Sequence, residues 1–455
     1  MVKLRKKLAK QMKSSSPNQQ QKSLFTSDLI DCLNPGNRLY QLAQRLPWSE
    51  IEKDFEGYYP KMGQPAKPVR LMVGLLILKQ LENLSDEVVV DRWCENPYYQ
   101  FFCGMATFQW DLPCHPTDLV YFRKRIGKEG AEKLLSYSLH IHPGNVREVE
   151  QVVFDTTVQE KNITYPTDAK LAVKVIKKCR SIARKEGVEL RQSYQRVVKK
   201  HMLNQRFASH PKNRKKARAS LRSLKTIAGR LIRELRRKLK PGALAYHQND
   251  LDLFEQVITQ QRKDKNKVYS LHEPEVACII KGKVSKKYEF GSKASIALTK
   301  DTNLIVGVAS FRGNPHDSNT LEDTLKAVER TSGQRPIEGI CDRGYRGKNT
   351  LGITKISIPK QQKHKNSYQK QKVRKKFQRR AAIEPVIGHV KQDFRLGRNY
   401  LKGFLGDEIN LNLAAMAFNM KSWIRQLKGL FELWLKRTIY WLIKLFNAEL
   451  RLLQG

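Results

Sequence analysis

Residues 149–158 read Val-Glu-Gln-Val-Val-Phe-Asp-Thr-Thr-Val, and the β-branched and aromatic residues crowd together as a buried strand requires. Asp155 lies inside that run. A carboxylate there is costly without a partner, so a fold of this chain has to bring a counter-charge to a strand it also has to bury. A second acid is placed in a similar way. Ile337-Glu338-Gly339-Ile340-Cys341 is a short apolar strand that ends in Asp342, and Gly344 and Gly347 then break it. A carboxylate at a strand's end, followed by a glycine turn, faces a cleft more often than a core. The plainer alternative is that Asp155 caps a turn and Asp342 merely opens a loop.

A third acid stands in a region that is otherwise basic, in the segment Arg379-Arg380-Ala381-Ala382-Ile383-Glu384-Pro385-Val386-Ile387-Gly388-His389-Val390-Lys391. At about 100° per residue, Arg380 and Lys391 fall within roughly 40° of Glu384 on a helix. Taken alone, Arg380 and Glu384 make an ordinary surface ion pair. Three carboxylates brought together without a cation would repel one another. With Mg²⁺ or Mn²⁺ they become hard oxygen ligands, and two such ions about 4 Å apart can clamp both oxygens of an in-line phosphoryl displacement.

Four blocks, in order, carry a resemblance. They are Phe154-Asp155-Thr156-Thr157 with Tyr165-Pro166-Thr167-Asp168, then Tyr288-Glu289-Phe290-Gly291-Ser292-Lys293, then Cys341-Asp342-Arg343-Gly344-Tyr345, then Glu384-Pro385-Val386-Ile387-Gly388 with Lys391. The chain resembles the bacterial insertion-sequence DDE transposases of the InsH-like group from about residue 40 to about 425. The resemblance implies an RNase H-like catalytic core in which Asp155, Asp342 and Glu384 hold two divalent ions, Mg²⁺ or Mn²⁺. It also implies cleavage of double-stranded DNA at terminal inverted repeats and transfer of the freed 3′-OH into target DNA by a homo-oligomer. Arg380 and Lys391 would then hold phosphates. The rivals are a nuclease that cuts without joining and a DNA-binding protein derived from a transposase.

The charge of +43 agrees with a polyanionic partner such as nucleic acid. Half of that excess lies in one place: residues 170–240 hold 25 Lys and Arg against three acids. Leu221, Leu224, Ile227, Leu231, Leu235 and Leu239 recur there at helical spacing, so the segment folds rather than trailing as a basic tail. A helical hairpin is expected, with a basic face that either meets solvent or follows DNA phosphates. Seven scattered cysteines without a Cys-x-x-Cys pair disfavour a disulfide frame or a standard zinc module and suit cytosolic thiols; the resemblance implies a bacterial cytoplasmic protein associated with the nucleoid. Met1 to Lys13 lacks the apolar core of a signal peptide. Lys436, Arg437 and Lys444 interrupt the apolar run 430–453, which reads as an amphipathic helix and not a membrane span.

The chain divides into a polar leader (1–36), an all-α N-terminal domain (37–145), an α/β catalytic domain (146–425) with a helical insertion at about 168–285, and a C-terminal helix (426–455). Within the N-terminal domain, Val69 to Leu81, a turn at Asn83-Leu84-Ser85, and a helix opened by Ser85 are compatible with a helix-turn-helix; the alternative is a small helical bundle that packs on the core, which the strong apolarity of Val69 to Leu81 supports for the first helix. Thr117 to Ile126 presents Arg123, Lys124 and Arg125 as candidate DNA contacts. In the catalytic domain, residues 286–299 and 303–311 are expected to form a hairpin. His316 and Asp317 lie in a loop that either reaches the cleft or, more cheaply, is explained by Asp317 or Ser318 capping the next helix; Asp168 is expected to cap the insertion's first helix, and residues 361–376 to form a basic loop.

Overall fold

The computed structural model describes residues 27–59, 66–142, 149–261, 263–280, 287–359 and 366–427. The apolar run at 430–453 and most of the polar leader lie outside them. Among the described residues one seven-stranded sheet forms the centre: β1 (Gln151–Glu160), β2 (Ala277–Ile280), β3 (Tyr288–Thr299), β4 (Ile305–Phe311), β5 (Glu338–Ile340), β6 (Thr350–Leu351) and β7 (Thr354–Ser357). Their order is β2-β3-β1-β5-β7-β6, and β4 also pairs with β3. β1 runs antiparallel to β3, with Asp155 opposite Ile296. On its other edge it runs parallel to β5, which runs parallel to β7. Three antiparallel strands continued by two parallel ones make the mixed α/β, RNase H-like core that the blocks implied. The expected hairpin is β3 and β4, turned through Asn303 at φ +56°.

Among the described residues seven helical segments precede the sheet: α1 (Leu29–Cys32), α2 (Arg38–Arg45), α3 (Trp48–Glu56), α4 (Val69–Leu81), α5 (Asp86–Glu95), α6 (Pro97–Phe102) and α7 (Pro116–His140), the last kinked at Gly127. Leu29 and Leu33 are buried, so helical packing begins inside the stretch read as leader. The turn before α5 is as expected, with the Ser85 side chain accepting from the Val88 amide. α4, however, is buried at every residue from Leu71 to Leu81. The exposed positions of α5 are Glu87, Val88, Asp91, Arg92 and Glu95, more acidic than basic. The burial of α4 agrees with the helical-bundle alternative for this pair.

Among its described residues the insertion holds four helices rather than a single hairpin: α8 (Asp168–Lys185), α9 (Gln195–Leu203), α10 (Pro211–Lys238) and α11 (Pro241–Thr259). Thr167, not Asp168, caps α8, its side chain accepting from the Lys170 amide. The predicted leucine stripe turns inward: Leu224, Leu231 and Leu235 are fully buried against Val175, Ile176 and Phe254. Each such burial is worth about 1.5–3 kcal/mol. The unit therefore carries its own core, which turns the basic side chains outward.

After the hairpin come α12 (Asp317–Ser332), α13 (Ser367–Arg380), α14 (Ile383–Asp393) and a helix, α15, described over 403–427. Most of the stretch read as a basic loop is α13, a helix with no buried residue. Lys, Gln and Arg are good helix formers, but with Val373 and Phe377 the apolar residues on its inward side the periodic signal is weak.

The sheet's two faces bury different partners. Val153, Ile296 and Ile340 join α14, α15 and the N-terminal helices in one core, whereas Val152, Phe154 and Cys341 meet Leu321, Leu325 and Val328 of α12 in another. Asn419 of α15 ties the first core together. Its amide donates to Ser138 Oγ at 3.0 Å and to the Ile305 carbonyl at 2.9 Å, and its oxygen accepts from the Ile305 amide at 2.9 Å. The end of α14 is clasped by the N-terminal domain. Gln80 donates to the Phe394 carbonyl at 2.7 Å, and Arg395, itself at φ +65°, donates to Asn83 Oδ1 at 2.9 Å.

Candidate active site

Strand register alone places two of the three acids. Val153 pairs with Ile340 across the parallel β1–β5 edge. Two residues further along each chain stand Asp155 and Asp342, on the face that Val153 and Ile340 share. The carboxylates meet one cation there. Arg380 Nη2 lies 4.0 Å from Asp155 Oδ2 and 3.5 Å from Asp342 Oδ2, with the arginine side chain 17% exposed. Asp155 Oδ1 accepts from the Thr156 amide at 2.7 Å, and Asp342 Oδ1 from the Gly344 amide at 2.8 Å. Both aspartates are thus oriented by their own backbone, each with its second oxygen turned to the guanidinium.

Arg380 reaches that position because α13 is pinned to the sheet. Lys376, one turn earlier, bonds Glu338 of β5 and Ser357 of β7. Burial alone would raise the Glu338 carboxyl, but hydrogen bonds from Lys376 and Ser357 bring it below the usual range. Ala381 and Ala382 keep helix-like angles between α13 and α14. Glu384 therefore follows Arg380 by about one turn, near 6 Å along the axis. It stands in the first turn of α14, exposed, and among the described residues its carboxylate makes no ion pair within 4.0 Å. The expected Arg380–Glu384 surface pair does not form, because Arg380 is drawn to the two buried-strand aspartates instead.

As it stands, no group of three His, Cys, Asp or Glu among the described residues has the geometry of a metal site. The donors nonetheless fit a divalent cation in kind: hard carboxylate oxygens from neighbouring strands converge on one positive charge. That charge is at present Arg380, whose buried Nε has no hydrogen-bond partner among the described residues, so the guanidinium is only partly satisfied between the acids.

Next to the two aspartates, on the α12 side of the sheet, stand residues for which helix capping is the cheaper reading of the sequence. His316 caps α12, accepting from the Ser318 amide, which leaves Asp317 free of the capping role expected of it. The Asp317 carboxylate instead accepts from Thr156 Oγ1 at 2.7 Å and pairs with Lys293 Nζ at 2.6 Å. Behind it the Tyr345 phenol is buried without a hydrogen-bond partner among the described residues. Burial, then the neighbouring acidic groups Cys341, Asp155, Asp317 and Asp342, push it well above the ordinary tyrosine range. The signal in the sequence was the redundancy of His316-Asp317-Ser318: one cap was needed and three were offered.

The remaining candidates are scattered. Lys391 Nζ lies 3.7 Å from Glu289 Oε1, at the far end of α14 from Glu384. Lys124 and Arg125 are exposed on α7, the latter 5.0 Å over the Tyr59 ring. Arg123 is a correction, for it is buried and its Nη1 and Nη2 each donate to Asp86 at 2.7 Å. Asp86 also binds Lys79, and burial followed by the Arg123 charge brings that ammonium down to about 8. A guanidinium spent on a buried carboxylate is not available to a phosphate.

Two families of known proteins match the chain. Transposase domain (DUF772) covers residues 27–125, and Transposase DDE domain covers residues 255–420. The chain belongs to the insertion-sequence DDE transposases. It is 42% identical over 203 residues to uncharacterized protein ORF8 in the nfe locus of Rhizobium meliloti, across 44% of this chain and 98% of that one. No solved structure matches. Neither family description names the InsH-like group. The protein is accordingly a DNA transposase, of a family that generally uses divalent metal ions. Among the described residues of the transposase no helix is long and apolar enough to cross a membrane.

Proposed function

We propose that the protein cleaves phosphodiesters at the terminal inverted repeats of its element and joins the freed 3′-OH to target DNA. Asp155, Asp342 and Glu384 would hold two Mg²⁺ or Mn²⁺ ions. The supporting observation is the level placement of Asp155 and Asp342 on adjacent parallel strands, both facing Arg380, with Glu384 one helical turn away. Bound there, the metals would supply charge stabilisation for an in-line displacement at phosphorus.

The chain's own residues do the rest. Arg380, released from the aspartates as they take up metal, is free to grip a phosphate with its fork of donors. Lys391 adds a positive charge further along α14. Two element ends have to be handled together, which fits a homo-oligomer assembled on DNA at the bacterial nucleoid. The purified protein, incubated with terminal-repeat DNA, a target plasmid and Mg²⁺, should give both nicked ends and joined products. Nicked ends without joined products would mark a hydrolytic nuclease; DNA binding with neither product would mark a binding protein only.

The flanking duplex has a natural track in α10. Lys212, Lys215, Arg218, Arg222, Arg230, Arg233 and Arg237 are exposed along it, and Glu234, the acid of that helix, is buried. At 1.5 Å per residue the row is about 38 Å long, close to one turn of B-DNA. Each phosphate neutralised contributes about −0.9 to the slope of log K against log salt. Replacing Arg222, Arg230 and Arg233 with glutamine should make that slope shallower by roughly 3, equally for specific and random duplexes. An unchanged slope would take the row off the DNA path.

A further inference from the structure

Asp317 belongs to α12, on the opposite face of the sheet from the metal-facing side of Asp155. Thr156 and Lys293, which it binds, face α12's side of the sheet: Lys293 pairs with Val158 in the β1–β3 register, two residues along β1 from Thr156. Its carboxylate nevertheless touches both segments that carry the site. One oxygen accepts from Thr156 Oγ1 at 2.7 Å. The amide of that same Thr156 orients Asp155. The other oxygen lies over the turn that carries Asp342. A methyl group placed on Gly344 would come within 3.1 Å of Asp317 Oδ2 and 3.0 Å of Asp342 Oδ1. The two carboxylates therefore flank one glycine, the same glycine whose amide holds Asp342.

Asp317 is itself fixed. Lys293 Nζ pairs with it at 2.6 Å and donates to the Pro315 carbonyl at 2.6 Å, with the lysine side chain 10% exposed. A buried ammonium holds the acid, and the acid spans the two strand segments. Capping does not account for it, since His316 performs that role.

We infer that Asp317 is a positioning residue of the active site. From behind the sheet it sets the separation and aim of Asp155 and Asp342 through Thr156 and the Gly344 turn. The inference rests on the reading of Asp155 and Asp342 as metal ligands, and it assigns Asp317 no contact with metal or DNA. Outer partners of metal-binding carboxylates typically contribute about 10–100-fold to metal affinity or activity.

The test is a Mn²⁺ titration of the full-length protein, by calorimetry or electron paramagnetic resonance, beside single-turnover cleavage of terminal-repeat DNA. Asp317→Asn keeps the shape and an oxygen for Thr156 but loses the charge that Lys293 pairs with. Its Mn²⁺ Kd should rise by about 10–100-fold and its cleavage rate fall by a similar factor, while its Kd for DNA stays within about twofold. Thr156→Val, which suits a strand, removes the contact from the other side and should show the same split. It stands in if Asp317→Asn does not fold. A purely structural role predicts a lower Tm with unchanged Mn²⁺ affinity per folded molecule, and that result overturns the inference. Asp155→Asn is the control. If it too binds Mn²⁺ like the parent, the metal-site reading itself has failed; if it loses Mn²⁺ while Asp317→Asn and Thr156→Val do not, only the role of Asp317 has.

Discussion

Asp155→Asn should leave a folded protein that binds DNA as the parent does and cuts it at least about 10³-fold more slowly. The size follows from what a single preorganised electrostatic partner is worth at a reacting centre, about 10²–10³ for one neutral donor and more for a charged ligand. The direction follows from geometry. Asparagine keeps an oxygen where Asp155 Oδ1 accepts from the Thr156 amide, so the local backbone has no reason to change. What it removes is the negative charge facing Arg380, 4.0 Å away. Losing that charge frees Arg380 from one of two partners without giving a divalent ion a second carboxylate. Asp342→Asn should behave alike, because Asp342 stands level with Asp155 and shares the same guanidinium. Single-turnover cleavage on a terminal-repeat duplex, with gel-shift affinity measured in parallel, separates chemistry from binding. A variant that cuts within tenfold of the parent removes Asp155 from the chemistry.

What the sequence disclosed and what it hid divide along the range of the interactions concerned. The β1 strand was legible because Val152 to Val158 declare it locally, and the β3–β4 hairpin because a polar turn separates two apolar runs. The inward stripe of α10 was legible because period alone marks it. Asp317, Arg123 and Arg380 share one property: each side chain had an adequate local explanation, and the structure gives it a distant partner. Asp317 looked like a cap until Thr156, 161 residues earlier, took its oxygen. Arg123 looked like surface charge, yet Asp86, 37 residues away, holds it from both sides. Arg380 looked like the helical partner of Glu384 and instead faces two strands. An ion pair within one helical face is worth only a few tenths of a kcal/mol. Leaving two partly buried carboxylates without a cation costs far more, so the long-range partner wins. The helix α13 was missed for the converse reason: its inward side is made of Val373, Lys376, Phe377 and Arg380, each only half-buried, so two apolar residues among many cations leave too weak a pattern to read.

The second large effect concerns stability, and it lies at the other end of β1. Lys161 follows that strand and is buried, its side chain 3% exposed. Its ammonium donates to the Leu401 carbonyl at 2.7 Å and the Gly403 carbonyl at 2.9 Å, and it pairs with Asp407 at 2.8 Å and Glu273 at 3.5 Å. Four segments, from β1, the return of the insertion, the 401–403 turn and α15, therefore converge on one nitrogen. Lys161→Met keeps the volume and removes the charge. Two buried carboxylates then lose their common cation, a loss that typically costs about 3–5 kcal/mol. The loss should depend on pH. Burial already raises the Asp407 carboxyl, and Lys161 is the strongest influence lowering it, so the variant's Asp407 rises further. Its folded state then binds more protons than its unfolded state between the ordinary carboxylate range and that raised value. Stability falls as pH climbs through that window and is regained on acidification. Urea unfolding at pH 5 and pH 8 should accordingly show a smaller deficit, parent minus variant, at pH 5. An equal deficit at both values would mean that Asp407 does not carry the uncompensated charge, and a deficit under about 1 kcal/mol would mean that the convergence on Lys161 does not hold these segments together.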